Sequence, residues 1–189
     1  MLSSDLKKLH DSEITFENNF NVFEFIRSLH NEIDHEISSF VPSFDWRLLY
    51  RNILQLEKIL DTLNISYAPC HNDICSCNIL INEGKLILID WERSGNNDPA
   101  WDIAFLSNSL RLNAEEEYIV LKAYFGNDIS IDKKFVERVA LYKPVTEFAT
   151  GLWMMFQYIN GNKFLSHADL SKFVLEKFEY TQALLAGVG

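Results

Sequence analysis

The sequence predicts a mainly α-helical fold interrupted once, near its middle, by a β-hairpin. Gly and Pro are scarce, seven and four in 189 residues, which argues for long helices over a turn-rich β architecture. Apolar residues recur at helical spacing on both sides of residues 66–98. Within that stretch two short β-type runs are joined by Glu83-Gly84, a turn pair. A hydrophobic fraction of 48% and an aromatic fraction of 13% suffice for one domain with a real core over residues 1–189.

The elements follow in order. Residues 5–10 read as the end of a helix, with Leu6, Leu9 and Leu2 on one face. Residues 21–38 carry Phe23, Ile26, Leu29, Ile33 and Ile37 at helical spacing. Val41-Pro42-Ser43 breaks that pattern. Residues 45–63 resume it through Leu48, Leu49, Ile53, Leu56, Ile59, Leu60 and Leu63. Residues 66–73 are short and irregular. Asn78 to Asn82 and Lys85 to Ile89 form the hairpin strands. Helical texture returns after Asp98-Pro99, over about 100–110, 114–125, 132–158 and 167–186.

Charge and cysteine usage exclude several classes. The formal net charge is -10 and no basic stripe stands out, which argues against a nucleic-acid partner. No apolar run reaches the length of a membrane span. Met1-Leu2-Ser3-Ser4-Asp5 does not read as a signal peptide. Cys70, Cys75 and Cys77 are odd in number and crowded together, so the expectation is a reducing cytoplasm and no disulfide framework. A zinc site from Cys70, His71, Cys75 and Cys77 lacks the C-x-x-C pairs of common structural sites.

The segment from His71 to Asn78 fits H-x-D-x-x-x-x-N. Phosphoryl transfer needs a carboxylate that orients or deprotonates an acceptor hydroxyl, and oxygen ligands for Mg²⁺. Asp73 supplies the first and Asn78 one of the second. The hairpin returns the chain to the same place, because the apolar run Leu86 to Ile89 ends at Asp90. A carboxylate at the tip of a buried strand is costly unless a partner or metal offsets it. Asp73, Asn78 and Asp90 are therefore expected to converge. An isolated H-x-D is more often a turn or capping device. The run of H-x-D-x-x-x-x-N, hairpin, I-D-W-E and D-P-x-x-D is far less easily met by chance.

"HNDICSCNIL" followed by "LILIDWERSGNNDPAWDIAFL" closely resembles the choline/ethanolamine kinase family, which shares the protein-kinase fold with the aminoglycoside phosphotransferases. The likeness extends upstream through "LKKLH" and "FNVFEFI" and downstream to "GLWMMFQYI". It implies the C-terminal lobe of the kinase-like fold, with a catalytic loop and hairpin over 69–92 and helices over 100–186. It implies Asp73 as the catalytic carboxylate, with His71 in the same motif as the buttress that holds the loop. Asn78 and Asp90 become Mg²⁺ ligands, and Asp102 a supporting residue below them. Glu92 is placed near the metal or the acceptor. Trp153 resembles an aromatic wall for a quaternary ammonium group, consistent with cation–π attraction, while core packing explains it equally well. Thr150 stands where choline kinases tend to carry a second aromatic residue. Ser107, Asn108 and Ser109 stand where they tend to carry an acidic one. Both departures weaken a cation cage.

The implied function is transfer of the ATP γ-phosphate to an amino-alcohol hydroxyl, with Mg²⁺. A kinase of this fold needs a β-rich N-terminal lobe with a phosphate-covering loop and a strand Lys. Nothing before His71 reads as such a lobe, and Lys7 and Lys8 lie in a helical context. The expectation is a C-lobe alone, truncated or split, inactive until a separate N-lobe is supplied. A non-catalytic remnant that binds a small cation or a protein is the alternative. An aminoglycoside-type enzyme is disfavoured by Trp153 and I-D-W-E. Removing the upper lobe is expected to expose Leu2, Leu6, Leu9, Ile79 and Leu80, favouring an N-lobe chain or a homodimer as partner.

Overall fold

The computed structural model describes residues 2–126 and 130–188. They form seven helices, two two-stranded sheets and a 3₁₀ turn. The chain divides into two compact units, Met1–Phe20 with Asn64–Lys143, and Asn21–Leu63 with Pro144–Gly189. No described helix is long and apolar enough to cross a membrane.

The first unit holds the irregular middle of the chain. Helix α1 (Leu2–His10) packs on α5 (Ala114–Phe125). Strand β1 (Ala68–Cys70) pairs antiparallel with β4 (Gly95–Asn97), placing Cys70 opposite Gly95. Between them come the 3₁₀ turn Ser76–Asn78 and the hairpin of β2 (Ile79–Asn82) and β3 (Lys85–Leu88). Glu83 and Gly84 turn the hairpin with φ values of 49° and 77°. Positive φ at both central residues matches the right-handed twist of the flanking strands. Helix α4 (Pro99–Ser109) begins at Asp98, whose carboxylate caps the Ala100 N–H. Pro99 at the first helical position loses no intrahelical bond.

The second unit is built from helices. Helix α2 (Val22–Phe40) is capped by Asn21, which accepts from Phe23 and Glu24 N–H. It buries Ile26, Leu29, Ile33 and Ile37 on one stripe. Helix α3 (Trp46–Leu60) starts at the Asp45 cap and buries Leu49, Ile53 and Leu56. Both pack with α7 (His167–Ala186). Helix α6 (Lys133–Ile159), which belongs to this unit from Pro144 onward, carries that proline in its interior, where one backbone donor is missing. Its Phe148 stacks on Phe178 of α7 with ring centroids 5.1 Å apart.

The helices predicted from periodicity are all present, with ends shifted by a few residues. Pairing of β1 with β4 is not visible in the irregular text of residues 66–73. The expected exposure of α1 is corrected. Leu2 and Leu6 are 6% and 1% exposed, because the apolar face of α1 turns onto α5. Leu9 and Ile79 are half-buried. On the hairpin Leu80 is exposed as expected, at 48%, and its neighbour Ile81 is 77% exposed. The expectation of no disulfide is also corrected, since Cys75 is bonded to Cys77. One pair drawn from three cysteines leaves Cys70 as the free, buried one.

Candidate active site

The loop after β1 is held by one buried carboxylate. Asp102, in the first turn of α4, is fully buried. Its Oδ2 accepts the His71 N–H at 2.9 Å and its Oδ1 the Asn72 N–H at 2.8 Å. Two backbone donors and the positive end of α4 offset the cost of burying the charge. His10 Nε2 also donates to Asp102 Oδ2, at 3.1 Å. The Tyr124 hydroxyl lies 2.8 Å from His10 Nδ1. Burial pushes the Tyr124 hydroxyl far up from its ordinary range, so it keeps its proton and donates to Nδ1. A relay thus runs from α5 through α1 to α4 and ends on the loop backbone.

Asn72 sits in the left-handed region with φ 67°, which Asn tolerates better than most side chains. Its Nδ2 donates to the Arg93 and Gly95 carbonyls at 3.0 and 3.3 Å. Its Oδ1 accepts from Asn97 Nδ2 at 2.9 Å, and its own carbonyl accepts from Trp101 Nε1 at 3.1 Å. This one residue ties the loop to β4 and α4. As the unspecified middle position of H-x-D it escaped the sequence reading. An Asn at a bend between two polar residues was the available signal.

His71 is fully buried. Its Nε2 lies 3.0 Å from the Ile89 carbonyl and its Nδ1 receives the Asp73 N–H at 3.3 Å. The ring therefore carries its proton on Nε2. Ile89 in turn donates its N–H to the Asn78 carbonyl at 3.0 Å. His71 and Asn78 together fix the end of β3, and Asp90 follows at once with φ 64°. Asn78 Nδ2 donates to the Asp73 carbonyl at 3.0 Å and lies 3.4 Å from Asp73 Oδ2. The structure thus brings Asp73, Asn78 and Asp90 together within one unit.

Burial pushes the Asp73 carboxyl up from its ordinary value. The positive charge of Arg93, whose Nε is 3.8 Å from Asp73 Oδ2, opposes the rise, while the Asp90 carboxylate adds to it. Arg93 is a second residue that the sequence reading passed over. One amide oxygen and two carboxylates make an oxygen-only donor set, which suits a hard divalent cation such as Mg²⁺. The repulsion between Asp73 and Asp90 is what a cation held at Asn78 and Asp90 would relieve.

The remaining residues named from sequence have different surroundings. Glu92 is exposed on the turn after Asp90. Trp91 packs its ring 4.6 Å from that of His71. Trp153 belongs to the second unit, half-buried, stacked on Phe156 and tilted against Phe25. Thr150 bonds back to the Thr146 carbonyl. Ser109 Oγ accepts the Ser76 N–H at 2.7 Å, so this departure from the family pattern braces the turn beside Asn78. The zinc alternative fails in the structure, since Cys75 and Cys77 are bonded to each other. His10, Cys70 and Asp102 do lie within 4.8 Å of one another. Both nitrogens of His10 and both oxygens of Asp102 already have hydrogen-bond partners. Burial pushes the Cys70 thiol far up, so it stays a thiol. The cluster is a hydrogen-bonded support.

The family described as choline/ethanolamine kinase matches residues 1–110, more than half of the chain. The chain belongs to the choline/ethanolamine kinase family. It is 33% identical over 169 residues to protein LicA of Haemophilus influenzae, covering 87% of this chain and 49% of that protein. The crystal structure of choline kinase LicA from Streptococcus pneumoniae superposes with a TM-score of 0.80 at 25% identity, covering 98% of this chain and 62% of that one. The crystal structure of LicA in complex with AMP gives a TM-score of 0.79 at 25% identity, covering all of this chain and 61% of that one. The chain thus spans roughly half to two thirds of the length of these relatives.

Proposed function

We propose that residues 1–189 form the catalytic-loop portion of a small-molecule phosphotransferase that moves the γ-phosphate of ATP to the hydroxyl of an amino alcohol such as choline or ethanolamine. The observation that carries this reading is the meeting of Asn78 with Asp73 at 3.4 Å, next to Ile89, whose N–H bonds to the Asn78 carbonyl and which Asp90 follows in the chain. Family membership and the likeness to a LicA solved with AMP support the reaction class.

In this reading Asp73 orients the acceptor hydroxyl and takes its proton as phosphorus–oxygen bonding develops. Its partial burial favours proton acceptance, and Arg93 keeps it ionised until the acceptor arrives. His71 fixes the backbone of Asp73 and the end of β3, so it acts as a positioning residue. Asn78 and Asp90 would hold Mg²⁺, which when bound neutralises charge on the phosphate oxygens. Asp102 holds the loop from below through the His71 and Asn72 amides. Glu92 is assigned to the rim of the acceptor site. Trp153 is assigned to the ammonium group, where an indole face attracts a cation.

Among the described residues the strands form only two two-stranded sheets, and neither carries a phosphate-covering loop. The nucleotide is therefore assigned to a β-rich lobe outside residues 1–189, in the same or another chain. A polypeptide of residues 1–189 alone should turn over choline or ethanolamine negligibly. Robust turnover by that polypeptide, lost in Asp73→Asn, would overturn this division of labour. The metal assignment is tested by Mn²⁺ titration followed through water proton relaxation. Weak binding that is lost in Asp90→Ala is expected, and binding unchanged in that variant would remove Asp90 from the site.

A further inference from the structure

The turn that carries Asn78 also carries the disulfide. Cys75 and Cys77, with Cα atoms 5.3 Å apart, stand between Asp73 and Asn78 in the chain. Two backbone hydrogen bonds of this turn pass through Cys75. Its N–H donates to the Asp73 carbonyl at 2.9 Å, and its carbonyl accepts the Asn78 N–H at 3.0 Å. On the outer side Ser76 N–H is held by Ser109 Oγ. On the inner side Ile74 is fully buried. The ring of Cys75, Ser76 and Cys77 is thus the one covalently closed piece of the described segment joining Asp73 to Asn78.

The two cysteines differ in exposure. Cys77 is exposed and Cys75 half-buried, so an incoming thiol reaches Cys77 first. The third cysteine does not compete. Cys70 is fully buried, its thiol donates to the Asn97 carbonyl at 3.6 Å, and burial holds it protonated. Only a thiolate attacks a disulfide. Exchange at this site is therefore driven by an external thiol.

We propose that Cys75–Cys77 is a redox-modification site, opened reversibly by a dithiol reductant, and that opening it loosens the turn that sets Asn78 against Asp73. The reductant's thiolate bonds to Cys77 Sγ and the S–S bond breaks. The electron pair leaves on Cys75 Sγ, which takes up a proton. The reductant's second thiolate then attacks its own sulfur in the mixed disulfide and releases Cys77, which is protonated in turn. Two electrons and two protons pass to the protein, and the reductant leaves as a disulfide. The two thiols remain two residues apart, so a small-molecule disulfide recloses them: one cysteine thiolate displaces a thiol from it, the other attacks the mixed disulfide intramolecularly at high effective concentration, and the oxidant leaves as two thiols. Once open, the three-residue segment regains backbone and side-chain freedom. A cation held by Asn78 and Asp90 must freeze the Asn78 end of it again, so affinity falls. That last consequence rests on the metal reading above, whereas the opening of the turn does not.

The test uses the air-oxidised chain and the same chain treated with dithiothreitol. Alkylation with peptide mapping should label Cys75 and Cys77 only after reduction, and glutathione should be trapped on Cys77. Hydrogen exchange of the Cys75 and Asn78 amides should rise about fivefold on reduction and return on reoxidation. The dissociation constant for Mn²⁺ should rise about threefold. A Cys75→Ser/Cys77→Ser double variant should match the reduced protein and ignore dithiothreitol. Free alkylation without reductant, exchange unchanged by full reduction, or a double variant that still responds would each overturn the proposal. If the double variant does not fold, oxidised and reduced wild type decide by exchange alone. If Mn²⁺ binds neither form, the metal reading falls, while alkylation and exchange still judge the disulfide.

Discussion

The two units of the chain solve the burial problem differently. In the first, short strands and a loop leave many backbone groups outside regular ladders, and buried polar side chains take them up. Asp102, Asn72, His71 and Asn97 are all at most 5% exposed. In the second, the helices satisfy their own backbones, and the interior is filled by aliphatic side chains and aromatic rings such as Ile33, Ile37, Phe148 and Phe178. The lesson is one of sensitivity. A lost hydrophobe costs in proportion to the volume removed. A lost hub residue strands several buried partners at once, each near the full desolvation penalty.

Asp102→Ala tests that contrast most severely. It leaves the His71 and Asn72 amides and His10 without their acceptor. The expected loss is about 4 kcal/mol in urea unfolding, with Asp102→Asn recovering part of it. A loss below that of a single large core truncation would break the comparison.

Phe178→Ala probes the other unit. The ring stacks on Phe148, and an added Cβ at Gly151 would meet it at 2.9 Å. Truncation should cost about 3 kcal/mol, measured by the same unfolding. Phe178→Leu should cost clearly less, as a volume-graded site requires. Equal costs would mean that ring contacts rather than volume decide.

Asn21→Ala removes the cap of α2 and should cost about 1 kcal/mol. The Phe23 and Glu24 amides it serves are part-buried and exposed, so water replaces the lost acceptor. A cost approaching that of Asp102→Ala would show that exposure is not what separates the two units.

Asp73→Asn should have the smallest effect on stability and the opposite sign. The folded Asp73 carboxyl is raised by burial, so the native state holds its proton more tightly than the unfolded chain does. Its contribution is complete below the unfolded value, near 3.8, and is lost as pH rises through the folded value. Removing the charge should therefore raise Tm at neutral pH by about 2 °C, and the gain should vanish in acid. Thermal unfolding across pH checks this. A lower Tm at neutral pH would mean that the Arg93 contact outweighs burial.

Much of this was legible in the chain. The stripe through Ile26, Leu29, Ile33 and Ile37 defines α2 because helical periodicity is a local property. The Glu83-Gly84 turn and its flanking runs define the hairpin for the same reason. Spacing also placed Asp73, Asn78 and Asp90 on one loop and one strand end. The β1–β4 pair was not legible, since Ala68 meets Asn97 only after the hairpin has folded back. Nor was the role of His10, whose partners Asp102 and Tyr124 lie 92 and 114 residues away.

By itself, then, the order of residues determined the helices, the hairpin and the candidate chemistry, because each rests on neighbours within a few positions. Only the tertiary structure decided which polar residues hold that chemistry in place. Asn72 became a hub because β4 and α4 arrive beside it, and Leu2 and Leu6 became core because α5 covers them. Cys75 found Cys77, although their odd number argued otherwise, because the 3₁₀ turn brings the two sulfurs together. Burial is a property of what packs against a residue, and local periodicity carries no record of the partner.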